Sequence, residues 1–155
     1  MGEAFTSEIS FDHDRIGAAA IYCSDGRYGD QMDDFLHGYL GLPRYDRVAI
    51  PGGAASLAHH PRALQDKRAL DRQLKFLVES HDLTRVVMIA HQDCGFYRHH
   101  VHPQKLKKQP LEVLQARDLA TAADLLHAYN SQLKLEAYFA RRVDGKVRFE
   151  PIAVL

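Results

Sequence analysis

Residues 85–95 read RVVMIAHQDCG, a short apolar run that passes directly into a His-x-x-Cys turn. A second apolar run, IGAAAIYC at residues 16–23, also ends in a cysteine. Continuous runs of this length predict strands that are buried on both faces, as in parallel sheets. Because ligands of open α/β sheets bind beyond the carboxyl ends of the strands, the ends of these two runs are candidate sites for chemistry.

Amphipathic segments alternate with the apolar runs along the chain. Helices are predicted over residues 30–40, 63–79 and 111–141, the last with a break near Asn130-Ser131, and further strands over residues 47–50 and 147–154. Such alternation is typical of βαβ units and a parallel sheet. We therefore expect an α/β fold, a single domain over residues 1–155 with a mainly parallel sheet of four to five strands flanked by helices. Residues 96–110 are polar, basic and proline-bearing, which predicts a loop.

The composition argues against nucleic acid and membranes as partners. Lys plus Arg equals Asp plus Glu at 20 each, so no overall charge attracts nucleic acid or anionic membranes. No apolar run approaches the roughly 20 residues that span a bilayer. Residues 1–15 lack the apolar core of a signal peptide, so we expect a cytoplasmic, reducing location. Two cysteines in that setting are more often free thiols, ligands or catalysts than a structural disulfide.

Cys23 and Cys94 follow the first and third predicted strands. If those strands are neighbours, Cys23, His91 and Cys94 converge at one point. Two thiolates and one imidazole suit Zn²⁺, which prefers sulfur and nitrogen ligands in tetrahedral geometry. Three protein ligands leave one position open, and zinc lowers the pKa of a water bound there to about 7.

Asp25 and Arg27 follow Cys23 at two-residue intervals. Arg27 can hold Asp25 through a bidentate ion pair, and Asp25 can then orient the zinc-bound hydroxide. Alternatively, Asp25 closes the fourth zinc position itself. An ordinary turn with a surface ion pair is the simpler interpretation of the same residues.

The two motifs together, Cys23-x-Asp25-x-Arg27 and His91-x-x-Cys94-Gly95, resemble the β-class carbonic anhydrases. The resemblance extends through residues 74–95, LKFLVESHDLTRVVMIAHQDCG, which are similar to that family's helix, strand and metal loop. It implies a β-carbonic-anhydrase-like fold and a zinc lyase, a carbonate dehydratase, that converts carbon dioxide to bicarbonate through zinc-bound hydroxide. It also implies that Asp25 and Arg27 gate the metal, and that the chain forms a homodimer or a higher homo-oligomer.

The sequence leaves three alternative functions open. A zinc hydrolase of the same fold would act on another small linear substrate, such as carbon disulfide or carbonyl sulfide. A non-catalytic zinc or bicarbonate-binding module would have Asp25 permanently on the metal. A redox-active dithiol protein would use Cys23 and Cys94 without a metal.

The remaining candidates lie in turns and loops. Gly52 and Gly53, in a Pro-Gly-Gly turn after the second strand, form either a plain turn or a place where backbone N–H groups meet an anion such as bicarbonate. The histidines of the clusters His59-His60 and His99-His100-x-His102 are either solvated side chains or proton shuttles, since imidazole titrates near neutrality.

Overall fold

The computed structural model describes residues 2–101 and 103–154, whose strands form one sheet. The strands are β1 (Ala18–Cys23), β2 (Asp46–Ile50), β3 (Arg85–His91), β4 (Lys134–Val143) and β5 (Lys146–Ile152). Their order across the sheet is β2-β1-β3-β4-β5. The first four are mutually parallel, and β5 runs antiparallel to β4. The predicted α/β fold with a mainly parallel sheet is confirmed. β1 and β3 are adjacent in the sheet, as the predicted convergence of Cys23, His91 and Cys94 requires.

Helices connect the strands. They are α1 (Gly29–Asp34), which continues as a π-helical turn over Phe35–Tyr39, α2 (Leu64–Ser80), α3 (Gly95–His100), α4 (Pro103–Lys108) and α5 (Leu111–Tyr129), with 3₁₀ turns at Gly53–Leu57 and Pro61–Ala63. In the described ranges, none of these helices has the length and apolar character needed to cross a bilayer. The cytoplasmic location stays a prediction.

The sheet buries both of its faces, because successive strand side chains point to opposite sides. One face packs against α2 and α5 through side chains that include Ile21 and Met88. The other face packs against α1 through Tyr22 and Ile89, among others. The uninterrupted apolar runs of β1 and β3 therefore reflect two separate layers of core, one on each side of the sheet.

The prediction of helix through residues 111–141 is wrong beyond the break. The chain leaves α5 at Tyr129 and forms β4 from Lys134 onward. Leu135 and Ala137 face the α2–α5 layer, whereas Tyr138 and Ala140 face the α1 layer. The sequence LEA has high helix propensity, but β4 pairs with β3 on one side and β5 on the other, and this tertiary pairing outweighs local preference.

The prediction of a loop over residues 96–110 is also wrong, because this segment contains most of α3 and all of α4. Phe96, Tyr97 and Val101 are buried and pack with Leu114 of α5. The polar composition of the segment led to the loop prediction, although these three apolar residues are buried. His102, the last residue of the second histidine cluster, lies outside the described residues.

Candidate metal centre

The carboxyl ends of β1 and β3 bring Cys23, His91 and Cys94 together. Ligand atoms of these three residues all lie within 4.8 Å of one another, and the two sulfur atoms are 3.9 Å apart. His91 and Cys94 are each 1% exposed, and Cys23 is partly exposed. The predicted convergence is therefore observed, and the cluster could hold a metal ion. Asp25 is not a member of this group.

The imidazole of His91 is oriented by its own loop. Nδ1 lies 2.8 Å from the carbonyl oxygen of Gln92. Because a carbonyl only accepts hydrogen bonds, Nδ1 carries a proton, and Nε2 is the ring nitrogen left to offer a lone pair to a metal. Among the described residues, Nε2 is buried without a hydrogen-bond partner. A buried lone pair beside two sulfur atoms is what a metal-binding imidazole presents.

Tyr28 holds the same loop from the α1 side of the sheet. Its hydroxyl donates to the carbonyl oxygen of Gln92 at 3.2 Å, and its ring packs against that of His91 with centroids 4.4 Å apart. Sequence reasoning did not identify Tyr28 or Gln92. An aromatic residue one position after Arg27 carries no signal of a contact 64 residues away.

The two thiols share a hydrogen bond, and their pKa values are shifted in opposite directions. The Cys94 thiol donates to Cys23, and this bond lowers the pKa of Cys23 far below the usual range for a thiol. The same partner, together with burial, raises the pKa of Cys94. Nearby backbone N–H groups act to lower both pKa values, those of Gly52 and Asp25 at Cys23 and those of Phe96 and Tyr97 at Cys94. The net effect favours the thiolate, the form that binds metals, at Cys23 and the protonated thiol at Cys94.

The turn after β2 is built to reach Cys23. The Gly52 N–H donates to the sulfur of Cys23 at 3.4 Å. Gly52 has φ 77°, and a Cβ there would lie 2.5 Å from the ring of Phe96. Gly53 has φ 54°, and a Cβ there would lie 2.9 Å from the backbone of Tyr22. Both positions therefore require glycine, and the predicted contact of Gly52 and Gly53 with a substrate anion stays a prediction.

Asp25 and Arg27 form the expected bidentate pair. Arg27 Nε lies 3.0 and 3.1 Å from the two carboxylate oxygens of Asp25, and a terminal nitrogen lies 2.6 Å from Oδ2. The Arg27 backbone N–H also donates to Oδ1, at 3.1 Å. These hydrogen bonds from Arg27 lower the pKa of Asp25 to about 2. The carboxylate is thus a fixed, ionised acceptor two residues from Cys23.

Replacing Arg27 with glutamine should raise the pKa of Asp25 from about 2 to near 4, the ordinary value for aspartate. The folded-state pKa of the parent is depressed, so the pair stabilises the fold above the ordinary pKa, and this contribution is lost as the pH falls toward 2. Carbon NMR titration of the Asp25 carboxyl in metal-free protein measures both values. An unchanged titration curve in the variant would show that Arg27 does not set the charge of Asp25.

The histidine clusters have different environments. His60 is buried, with Nε2 2.7 Å from Oδ2 of Asp118, so it is not the solvated loop residue that its sequence context indicates. His59 and His99 are exposed. His100 is partly exposed, with its ring centroid 4.6 Å from that of Phe96. A role in proton transfer stays a prediction for the exposed histidines.

Comparison with known proteins identifies the family. A sequence model of the family described as "Putative carbonic anhydrase" matches residues 14–153. The chain belongs to this family. The resemblance to β-class carbonic anhydrases is confirmed by this match and by the similarity of the fold to solved structures.

The relatives include two proteins that carry no described activity. An uncharacterized protein of Rickettsia conorii is 27% identical over 146 residues, covering 90% of this chain and 77% of that protein. An uncharacterized protein of Rickettsia bellii is 24% identical over 146 residues, covering 90% of this chain and 87% of that protein. Membership of the carbonic anhydrase family therefore rests on the family match, and these relatives add no activity to it.

Solved structures share the fold at low sequence identity. The carbonic anhydrase from Glaciozyma antarctica has a TM-score of 0.56 and 20% identity, covering 90% of this chain and 84% of that one. The β-carbonic anhydrase isoform I of Trichomonas vaginalis has a TM-score of 0.52 and 12% identity, covering 94% of this chain and 88% of that one. These similarities show a β-carbonic anhydrase fold.

Proposed function

We propose that this chain, as one domain over residues 1–155, is a zinc enzyme that reversibly hydrates carbon dioxide to bicarbonate. The observation that carries the proposal is the Cys23–His91–Cys94 cluster at the carboxyl edge of a carbonic anhydrase fold. Two thiolates and an imidazole with a free Nε2 lone pair are a ligand set that suits zinc. We assign the metal to Cys23, His91 and Cys94, and the reaction to the fourth metal position, with Asp25 as its hydrogen-bond acceptor.

The spacing of the sulfurs supports zinc. Tetrahedral coordination with Zn–S bonds of about 2.3 Å separates two sulfur ligands by about 3.8 Å. The sulfur atoms of Cys23 and Cys94 are 3.9 Å apart. Bound zinc would supply Lewis acidity, which makes a coordinated water acidic enough to lose its proton near neutral pH.

The position of Asp25 favours a catalytic role over permanent occupation of the fourth metal position. Its carboxylate is held by the fork of Arg27 and lies outside the group of convergent ligand atoms. A tetrahedral metal with three protein ligands then keeps one position for a reactant. Because an ionised carboxylate only accepts hydrogen bonds, Asp25 would orient a protonated ligand at that position and disfavour ligands without a proton.

Burial of Cys94 opposes a dithiol role in which this residue reacts with a second protein. Cys94 is 1% exposed and packs among apolar side chains, so its sulfur is poorly placed for exchange with a second protein. Redox-active cysteines lie in partly exposed, electropositive surroundings.

A comparison of substrates tests the proposal against its closest rival, a hydrolase of another linear molecule. Zinc-loaded protein is given carbon dioxide, carbonyl sulfide or carbon disulfide, with proton release followed for the first and sulfide release for the other two. We expect rapid hydration of carbon dioxide and little sulfide. Rapid sulfide release without hydration would assign the site to the rival reaction.

We also propose a homodimer or a higher homo-oligomer. β2 lies at one edge of the sheet, beside a groove of about 560 Å³ lined by Val48, Ile50, Phe76 and Leu77, among others. Phe76 is 60% exposed in this groove. An edge strand beside exposed apolar surface favours association with another chain. Sedimentation of the parent and of a Phe76→Glu variant tests this proposal, and a monomeric parent would contradict it.

A further inference from the structure

Two polar side chains lie on the buried face of α5. Gln115 and Asp118 are three residues apart, so they lie on the same side of the helix. Gln115 is 1% exposed and Asp118 is 6% exposed, among apolar neighbours that include Leu114 and Leu119. Burying polar groups is unfavourable unless they are hydrogen-bonded, so the partners of this pair indicate why it is there.

Gln115 contacts the end of β3. Its Nε2 donates to the carbonyl oxygen of His91 at 2.9 Å, and the bond is buried. His91 is the last residue of β3 and belongs to the metal cluster. The bond therefore fixes the backbone from which the imidazole projects. Gln92 and Tyr28 orient the ring from the other side, so the two contacts together leave His91 little freedom.

Asp118 contacts the helix that follows Cys94. Its Oδ2 accepts a hydrogen bond from the Tyr97 hydroxyl at 2.7 Å and lies 2.7 Å from Nε2 of His60. Tyr97 is on α3, which begins directly after Cys94. Tyr97 and Cys94 also pack in the same buried cluster. A displacement of Tyr97 would therefore disturb the packing that holds the Cys94 sulfur in place.

We propose that Gln115 and Asp118 are positioning residues that hold His91 and Cys94 at the separation a metal ion requires. Gln115 holds the strand side of the metal loop, and Asp118 holds the helix side through Tyr97. The inference rests on the proposed metal site. It adds to that site a supporting layer on α5, more than 20 residues along the chain from the loop. Partners of metal ligands act in this way, and their loss weakens metal binding by about 10- to 100-fold.

Conservative variants test the proposal without unfolding the protein. Gln115→Met keeps the length of the side chain and removes the donor, and Tyr97→Phe removes only the hydroxyl. Leu126→Val is the matched control, because it loosens the buried face of α5 two turns or more beyond Asp118. Cobalt(II) is the probe, since its thiolate charge-transfer and ligand-field bands report both affinity and coordination geometry.

We expect the Gln115→Met and Tyr97→Phe variants to bind cobalt about 10- to 100-fold more weakly than the parent, with shifted ligand-field bands. Leu126→Val should keep the affinity and the spectrum of the parent. In metal-free protein, amide hydrogen exchange over residues 92–97 should be faster in the two test variants and unchanged in the control. This second readout needs neither metal nor activity.

Three results would overturn the proposal, and they have different meanings. If the parent binds cobalt and the Gln115→Met and Tyr97→Phe variants match its affinity and spectrum, α5 does not position the ligands. An equal loss of affinity in the Leu126→Val variant would show that weaker cobalt binding follows from any loosening of α5 and does not depend on Gln115 or Tyr97. If the parent itself binds no cobalt, the proposed metal site is wrong, and the role of α5 toward it is wrong with it.

Discussion

Replacing Cys94 with serine should reduce the zinc content of the purified protein from about one ion per chain to less than about a tenth of that. Serine is nearly the same size, so it fits the buried site, which is 1% exposed in the parent. Its hydroxyl keeps its proton at neutral pH and is a poor zinc ligand. Loss of a partner that only supports a ligand costs about 10- to 100-fold in affinity, and loss of a ligand itself should cost more.

Metal analysis after dialysis measures this effect, and two comparisons make it specific. His99→Ala removes an exposed histidine five residues further along the chain and should keep full zinc. Metal-free parent and Cys94→Ser protein should have similar circular dichroism spectra, so that zinc loss is separated from misfolding. A folded Cys94→Ser variant that keeps stoichiometric zinc would remove Cys94 from the proposed ligand set.

Replacing Asp25 with alanine should leave zinc bound and reduce carbon dioxide hydration by about 100-fold or more, as for loss of a positioned proton acceptor. Asp25 is outside the Cys23–His91–Cys94 group, so we expect metal binding to be independent of its side chain. The carboxylate is ionised and held by Arg27, which makes it a fixed acceptor two residues from Cys23. Its removal also frees the Arg27 guanidinium, which then attracts anions such as bicarbonate.

Asp30→Ala is the matched control, because it removes an exposed carboxylate from the first turn of α1. It should keep the turnover of the parent. Turnover of the Asp25→Ala variant equal to that of the parent would show that the carboxylate does not orient the reactant. Loss of zinc from the Asp25→Ala variant would instead assign Asp25 to the metal, as the closed alternative requires.

The sheet and the cluster were predictable because their signals are local. β1 and β3 are continuous apolar runs, and each ends in a candidate ligand. Parallel strands place their carboxyl ends at one edge, so neighbouring strands are enough to bring Cys23 and Cys94 together. Asp25 and Arg27 are two residues apart, and one turn brings their side chains into contact.

The contacts that support the metal loop, from α5 and from Tyr28, were not predictable in the same way, because they join distant parts of the chain. Gln115 and His91 are 24 residues apart, and Tyr28 and Gln92 are 64 apart. The sequence does contain one unused signal. Gln115 and Asp118 interrupt the core-facing stripe of α5, and polar residues at such positions indicate a buried partner. β4 was missed because its helix-forming residues become a strand only when β3 and β5 pair with them.

Stopped-flow measurement of carbon dioxide hydration, on protein with confirmed stoichiometric zinc, tests the central proposal most directly. We predict fast hydration whose rate rises from neutral to alkaline pH, because the reacting water must first lose its proton. No hydration at any pH, with zinc fully bound, would contradict the proposed activity and leave a metal site that serves another substrate or a non-catalytic role.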